Sequence, residues 1–206
     1  KRSARATVRL AVEMIDEKLI DEKEEILRVE PSSRDQLLHP TLDPNSGRTT
    51  VAKGLPASPG GVSGKVVFTS EEAVAWQDKG EKVILVRVET SPEDIEGMVA
   101  AEGILTSRGG MTSHAAVVAR GMGKCCVAGC GDVYVNEHEK EFRANGYVVK
   151  EGEVITLDGS TGEVFLGKVK TIPPQLDGPF DRIMSIADKY RKLNVRTNAD
   201  TPTDAQ

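Results

Sequence analysis

The sequence predicts an α/β fold: a compact domain with small sheets and β-hairpins, flanked by helical linker segments. Short aliphatic runs bounded by turn residues recur between positions 64 and 166, which is the pattern of strands. The dipeptides Asn145-Gly146 and Asp158-Gly159 favour tight hairpin turns. Segments led by serine lie between some of these runs and indicate helices.

The chain starts at Lys1 without an initiator methionine, and we interpret it as a piece of a longer polypeptide. Residues 1–40 are expected to be the helical end of a preceding domain and its linker. The first thirty of these residues are predicted to form one helix, because apolar side chains recur three, four or seven positions apart. These are Val8, Ala11, Val12, Ile15, Leu19 and Ile26. Residues 41–52 are rich in Pro, Asn, Gly, Ser and Thr and are predicted to be a linker.

Residues 53–172 form the predicted central domain. Its first helix is expected to start at Ser91, where a serine N-cap precedes Pro92 and two acidic residues, and to end near Ala101. A second helix is expected to begin near Ser113 and to carry 115–120. Strands are predicted at 64–69, 82–88, 103–106, 124–128, 133–135, 147–149, 154–157 and 163–166.

Residues 173–206 are predicted to leave this domain. The run Pro173-Pro174-Gln175 indicates a linker, residues 181–192 a helix, and residues 193–197 a single strand. One domain with a linker and part of a neighbour at each end suits a module that moves between two larger bodies.

Composition argues against several classes of function. The chain carries 27 Lys and Arg against 32 Asp and Glu, a net charge of -5, and few aromatic residues, which disfavours nucleic-acid binding. No apolar run approaches the roughly 18 residues of a membrane helix, so no membrane role is expected. Neither a Walker A loop nor a G-x-G-x-x-G motif is present. Three cysteines within six positions favour a reducing, intracellular compartment.

The segment from Gly103 to Gly131 carries the candidate chemistry. A predicted strand ends at Thr106, a glycine pair makes a turn, and a predicted helix then begins beside His114. The positive end of a helix dipole and its unpaired amides favour a phosphoryl or carboxylate group there. The same field disfavours the imidazolium, so one neutral ring nitrogen is expected to stay nucleophilic near neutral pH.

Five neighbours of His114 are candidates for binding a phosphoryl group. Two hydroxyls can donate to phosphoryl oxygens, a guanidinium offers a charge-assisted fork, and two glycines let the backbone come close. They are, in the same order, Thr112, Ser113, Arg108, Gly109 and Gly110.

Two other interpretations remain open at this point. His114 could merely cap a helix or be buried and hydrogen-bonded, as we expect for His39 and His138. A zinc site made of His114 and the three cysteines is disfavoured, because a second separated C-x₂₋₄-C pair is missing. Cys125 and Cys126 are predicted instead to be small buried hydrophobic residues.

Residues 109–130, GGMTSHAAVVARGMGKCCVAGC, resemble the phosphohistidine signature of the PEP-utilising enzymes, which interconvert pyruvate and phosphoenolpyruvate. The vicinal cysteines and the AVVAR run are most similar to the pyruvate, phosphate dikinases. Residues 36–40, 157–164 and 192–202 also resemble dikinase segments, in the expected order.

This resemblance implies a swivelling phosphohistidine domain of β/β/α type at 53–172. Residues 1–40 would then end a nucleotide-binding domain, and 173–206 would begin a C-terminal PEP/pyruvate-binding barrel. By resemblance, His114 accepts the β-phosphoryl group of ATP on Nε2 and passes it to pyruvate. Thr112 matches the threonine that a regulatory protein phosphorylates in plant-type members.

The resemblance further implies Mg²⁺ in the full-length enzyme, with its ligands outside this chain, and no metal within it. The implied partners are the ATP-binding and PEP/pyruvate-binding domains of the same protein, with ATP, phosphate and pyruvate or phosphoenolpyruvate as substrates and a homodimer at full length. Cytoplasm, plastid and a peroxisome-like organelle are all possible compartments, cytoplasm being preferred. A phosphoenolpyruvate synthase and a non-catalytic binding module are the alternatives.

Overall fold

The computed structural model describes residues 4–29, 37–174 and 178–193. The chain divides into two compact units, one combining segments of 1–34 and 176–206 and the other made of 35–175. Six helices lie in the described residues: α1 (Ala4–Asp16), α2 (Glu22–Arg28), α3 (Ser70–Gln77), α4 (Ile95–Ala100), α5 (His114–Gly121) and α6 (Pro179–Tyr190).

Thirteen strands lie in the described residues: β1 (Thr41–Leu42), β2 (Thr50–Lys53), β3 (Leu55–Ser58), β4 (Gly61–Val67), β5 (Val83–Arg87), β6 (Gly103–Thr106), β7 (Cys125–Ala128), β8 (Tyr134–Asn136), β9 (Glu141–Ala144), β10 (Tyr147–Lys150), β11 (Val154–Asp158), β12 (Glu163–Leu166) and β13 (Thr171–Ile172).

The first unit consists of α1, α2 and α6. The first thirty residues were predicted as one helix, but the structure has two, because the backbone at Lys18 adopts a φ of 56°. Asp21 then caps α2, its carboxylate accepting from the N–H groups of Lys23 and Glu24. Helix α6 begins at Pro179, two residues earlier than its predicted start.

An eight-stranded sheet forms the centre of the second unit, in the order β2-β12-β11-β4-β5-β6-β7-β3. The four central strands β4 to β7 run parallel, and the outer strands pair antiparallel. Strands β8, β9 and β10 form a separate antiparallel sheet, and β1 pairs with β13. Of the parallel strands, β5 and β6 are nearly continuous aliphatic runs, as expected for strands covered on both faces.

Alternation along the strands divides the core into two layers. On β5, Ile84 belongs to the layer that includes Phe142 of the three-stranded sheet. Leu85 points the other way, into the layer that includes Met98 of α4 and Ala116 of α5. The unit is therefore layered as small sheet, large sheet and helices, which confirms the β/β/α prediction.

The structure shows strands where none was predicted, most clearly in residues 41–52. This stretch was expected to be a linker, but β1 and β2 lie there, and β2 extends the large sheet by pairing with β12. The other additional strands are β3, β9 and β13. All eight predicted strands are present, with bounds shifted by up to three residues. Most of the strand predicted at 193–197 lies outside the described residues.

The helices in the described part of the chain are short. The longest, α1, has 13 residues, whereas a helix needs about 20 to cross a bilayer. Among the residues that the structure describes, no helix is both long and apolar enough to span a membrane.

Candidate functional site

The candidate site lies at the carboxyl ends of two neighbouring parallel strands, β5 and β6. Beyond the strand ends the two chains continue side by side, because the N–H of Ser107 donates to the carbonyl of Arg87 at 3.1 Å. The N–H of Arg108 likewise donates to the carbonyl of Val88 at 2.8 Å. The loop after β5 is thereby held against the loop that leads to His114.

His114 is the first residue of α5, as the sequence predicts. Ser113 is the N-cap: its backbone is extended, and its side-chain oxygen accepts from the N–H of Ala116 at 3.4 Å. Ala115, Ala116 and Ala119 pack into the core and fix the helix. His114 is therefore held half-buried at the start of α5. Backbone N–H groups in the first turn of a helix have no acceptor within the helix, and they are directed toward this end.

Thr90 anchors the imidazole ring. Its Oγ1 lies 2.9 Å from Nδ1 of His114, and its residue is 8% exposed. When Nδ1 carries the ring proton, the threonine oxygen accepts it and the lone pair of the neutral ring is left on Nε2. Whichever atom donates, the contact occupies Nδ1, and within the described residues Nε2 makes no hydrogen bond.

Sequence reasoning missed Thr90. The residue stands directly before Ser91, the N-cap of a 3₁₀ turn at Pro92–Asp94 that leads into α4. Its position, in the loop after the strand adjacent to the histidine-bearing loop, is the signal that could have found it.

The glycine pair before His114 makes a tight turn. Gly109 has a φ of 105°, and a Cβ atom there would lie 2.9 Å from Cβ of Ser113. The carbonyl of Gly110 accepts from the N–H of Ser113 at 3.0 Å, which closes the turn onto the helix start. Only glycine fits at position 109, because a side chain would meet both a strained φ and the N-cap residue.

The predicted phosphoryl-binding residues line this turn as sequence neighbours. The side chains of Arg108 and Thr112 are exposed, as are both glycines, and Ser113 is half-buried. The hydroxyl of Thr106 donates to the carbonyl of Arg108 at 2.8 Å and so fixes its backbone. Their part in binding a phosphoryl group stays a prediction.

The region around His114 contains charges of both signs. A hydrogen bond from the Ser91 hydroxyl, together with one from the backbone of Glu93 itself, holds the pKa of the Glu93 carboxyl below its ordinary value. On the other side, the guanidinium of Arg120 donates to the carbonyl of Met111 at 2.6 Å and secures the turn from α5.

The three cysteines are buried, which confirms the prediction for Cys125 and Cys126. Burial raises the pKa of Cys126 and of Cys130 to about 12, and the Sγ of Cys125 donates to the carbonyl of Gly60 at 3.1 Å. These thiols are not nucleophiles at neutral pH. Within the described residues, no group of three or more His, Cys, Asp or Glu side chains could hold a metal ion.

Comparison with known proteins identifies the domain that carries this geometry. Residues 79–162 match the family model described as PEP-utilising enzyme, mobile domain. The matched segment contains Thr90, the glycine pair Gly109–Gly110 and His114. Residues 79–162 are thus similar to the mobile domain of the PEP-utilising enzymes. The resemblance read from residues 109–130 is thereby confirmed.

The mobile domain occurs in relatives that are much longer than this chain. The chain is 57% identical to a pyruvate, phosphate dikinase of Clostridium symbiosum over 99% of its own length and 24% of that protein's. It is 54% identical to the pyruvate, phosphate dikinase of Rhizobium meliloti, covering 100% of the chain and 23% of the relative. It is 55% identical to the chloroplastic pyruvate, phosphate dikinase 1 of Arabidopsis thaliana, covering 100% of the chain and 22% of the relative. The chain thus spans about a quarter of these relatives' length.

Proposed function

We propose that this chain is the phosphohistidine carrier domain of a pyruvate, phosphate dikinase. The observation that carries the proposal is the contact between Thr90 and Nδ1 of His114, which leaves Nε2 as the free ring nitrogen at a helix start. The relatives named above support the dikinase assignment, since their identity extends over the whole chain.

In the first half of the proposed reaction, the lone pair on Nε2 of His114 bonds to the β-phosphorus of ATP. The bond from that phosphorus to the oxygen bridging the α-phosphorus breaks, and AMP leaves with the electron pair. Orthophosphate then attacks the terminal phosphorus, the former γ-phosphorus of ATP, and pyrophosphate forms. The bond from that phosphorus to the bridging oxygen breaks, and the electron pair stays with the phosphoryl group that remains on His114. Such a covalent carrier divides one difficult transfer into easier ones.

In the second half, the enolate oxygen of pyruvate attacks the phosphorus held by His114. The electron pair of the N–P bond returns to Nε2, and phosphoenolpyruvate forms. The methyl proton that pyruvate loses goes to a base outside this chain. Every step is reversible, and the domain swivels between the two substrate sites.

The residues of this chain position and stabilise the phosphoryl group. Thr90 holds the ring, and the amides at the start of α5 and the hydroxyls of Thr112 and Ser113 donate to phosphoryl oxygens. Arg108 adds a positive charge, and the exposed Gly109–Gly110 backbone leaves the approach open. Transfer of this kind depends mostly on positioning and charge, which is what the turn and helix start supply.

We further propose that Thr112 is a regulatory phosphorylation site. Its side chain is exposed, so a modifying enzyme has access to it, and it lies two residues before His114. A phosphate there carries close to two negative charges, which repel an incoming phosphoryl group.

The remaining parts of the proposed enzyme lie outside this chain. We assign the ATP-binding and PEP/pyruvate-binding sites to other domains of the same protein, outside the central domain at residues 53–172. Mg²⁺ belongs to the whole enzyme and supplies charge neutralisation at the nucleotide phosphates. Among the described residues no group of three or more His, Cys, Asp or Glu side chains could hold it, so we assign its ligands to other parts of the protein. We expect a homodimer in a reducing intracellular compartment: the cytoplasm, a plastid or a peroxisome-like organelle.

A labelling experiment on the full-length protein tests the carrier role. ATP labelled at the β-phosphate should transfer acid-labile, base-stable label to the wild-type enzyme and not to His114→Asn. His138→Asn is the matched control, because His138 is exposed and lies in a different loop. Label on His114→Asn would refute the assignment, and an unlabelled wild type would favour a non-catalytic, helix-capping histidine.

The products separate the dikinase from its alternative. A dikinase consumes orthophosphate and releases pyrophosphate, whereas a phosphoenolpyruvate synthase uses water in its place. Detection of pyrophosphate with the full-length enzyme supports the proposal, and release of orthophosphate alone contradicts it. We expect the isolated chain to turn over neither ATP nor pyruvate at a significant rate.

A further inference from the structure

A partly buried ion pair, between Arg87 and Asp94, lies behind the loop that carries Thr90. Arg87 is the last residue of β5, and its Nε lies 3.5 Å from Oδ1 of Asp94. The Asp94 side chain is only 7% exposed. Its other oxygen, Oδ2, accepts from the N–H of Ser91 at 3.0 Å, which places the ion pair one residue from Thr90.

Charge, more than hydrogen bonding, holds this pair together. Nε of Arg87 is buried and, among the described residues, makes no hydrogen bond. Its Nη1 donates elsewhere, to the carbonyl of Phe68 at 3.0 Å and to Oε1 of Glu137 at 2.9 Å. A buried guanidinium nitrogen without a hydrogen bond is costly unless an opposite charge faces it, and Asp94 supplies that charge.

The same two residues connect both loops of the site. The carbonyl of Arg87 accepts from the N–H of Ser107 in the loop that leads to His114. Asp94 fixes the start of the 3₁₀ turn at Ser91, directly after Thr90. Movement of Asp94 would therefore move the hydroxyl that contacts Nδ1 of His114.

We infer that Asp94, paired with Arg87, is a positioning residue for His114: it holds the turn at Ser91 so that the Thr90 hydroxyl stays on Nδ1. The inference rests on the proposed function of His114. Asp94 is too deeply buried to meet a substrate, and it acts through Ser91 and Thr90.

Two matched variants separate this role from a general contribution to the fold. Asp94→Asn keeps the volume and an acceptor oxygen for Ser91 but removes the charge facing Arg87. Glu137→Gln removes a charge that accepts from Nη1 of the same guanidinium, and within the described residues Glu137 makes no hydrogen bond to Ser91. If Arg87 were merely structural, the two variants would behave alike.

The test measures single-turnover transfer of β-phosphate label from ATP to the full-length enzyme. We expect Asp94→Asn to slow transfer about tenfold, and Glu137→Gln to stay within about twofold of wild type. In a Thr90→Val background, Asp94→Asn should slow transfer by less than about threefold, because the contact it maintains is already lost.

An unchanged rate in Asp94→Asn, an equal loss in Glu137→Gln, or a full tenfold loss in the Thr90→Val background would each overturn the inference. Should Asp94→Asn fail to fold, Asp94→Glu, which keeps the charge but displaces the oxygen from Ser91, is measured by the same criteria. Label on His114→Asn would overturn the proposed function and this inference together. Wild-type labelling that depends on His114, with normal Asp94 variants, overturns the inference alone.

Discussion

A Cβ atom on Gly129 would lie 2.3 Å from the carbonyl oxygen of Gly109. The loop after β7 therefore supports the glycine turn before His114, and the support requires the absence of a side chain. Gly129 also has a φ of 61°, which disfavours any other residue.

Gly129→Ala should accordingly destabilise the protein by about 2 kcal/mol or more, since the substitution combines backbone strain with a clash. It should also slow phosphoryl uptake, because the turn at Gly109 must shift. Calorimetry and labelling of the full-length protein measure the two effects. Gly131→Ala is the control, since a Cβ there meets nothing within 4 Å. Equal behaviour of the two variants would contradict this explanation.

Thr90→Val should slow label uptake roughly tenfold, because the ring loses the oxygen that fixes its orientation and proton position. Thr90→Ser keeps the hydroxyl and should stay within about threefold of wild type. Single-turnover labelling across a range of pH values compares the three proteins. If the valine and serine variants lost activity equally, packing at position 90 rather than the hydroxyl would be responsible.

Thr112→Glu places a negative charge beside the reacting ring and should lower label uptake by about tenfold or more. Thr112→Val removes the hydroxyl without adding charge and should have a smaller effect. Both side chains are exposed at this position, so neither should change the thermal midpoint appreciably. Uptake in Thr112→Glu equal to that in Thr112→Val would argue against regulation through charge.

The buried thiols should resist alkylation in the native protein. With a pKa of about 12, only about one in 10⁴ of the Cys126 or Cys130 thiols is ionised at pH 8. Iodoacetamide labelling before and after unfolding in urea, read by mass spectrometry, tests this expectation. Rapid native labelling of Cys126 would show that the thiol is accessible.

The same thiols make stability depend on pH in a defined direction. Their folded-state pKa lies above the unfolded value near 8.5, so the unfolded state loses its protons first as pH rises. The stabilisation is complete below about pH 8.5 and is lost between there and about pH 12. The free energy of unfolding should therefore fall from pH 8 to pH 10, and less steeply in Cys126→Ala.

Local chemistry made the centre of the site predictable from sequence. Ser113 has an N-cap side chain, and the glycine pair before it marks a turn, so both the helix start and the place of His114 follow from neighbouring residues. The strands β6 and β12 were predicted at their observed bounds, because each is a short aliphatic run between turn residues.

Features that depend on distant pairing were not predictable in this way. Thr90 and His114 are 24 positions apart and meet only because β5 and β6 are adjacent and in a fixed register. Strand β3 contains Pro56 and lies at the edge of the sheet, where its pairing with β7 outweighs weak strand propensity. The interruption between α1 and α2 lies at Lys18, whose backbone is left-handed although the residue is not glycine. The sequence around Lys18 contains no pattern that predicts this conformation.

The anchored ring also sets the timing of the reaction. With Thr90 in contact with Nδ1, Nε2 is the ring nitrogen left to carry a phosphoryl group in the proposed role. A phosphoryl donor and a phosphoryl acceptor cannot both react at Nε2 at the same time, so in the proposed role they react there one after the other. If the proposed carrier role is correct, each molecule of this domain serves one half-reaction at a time, and the full-length enzyme should show the kinetics of an alternating, double-displacement cycle.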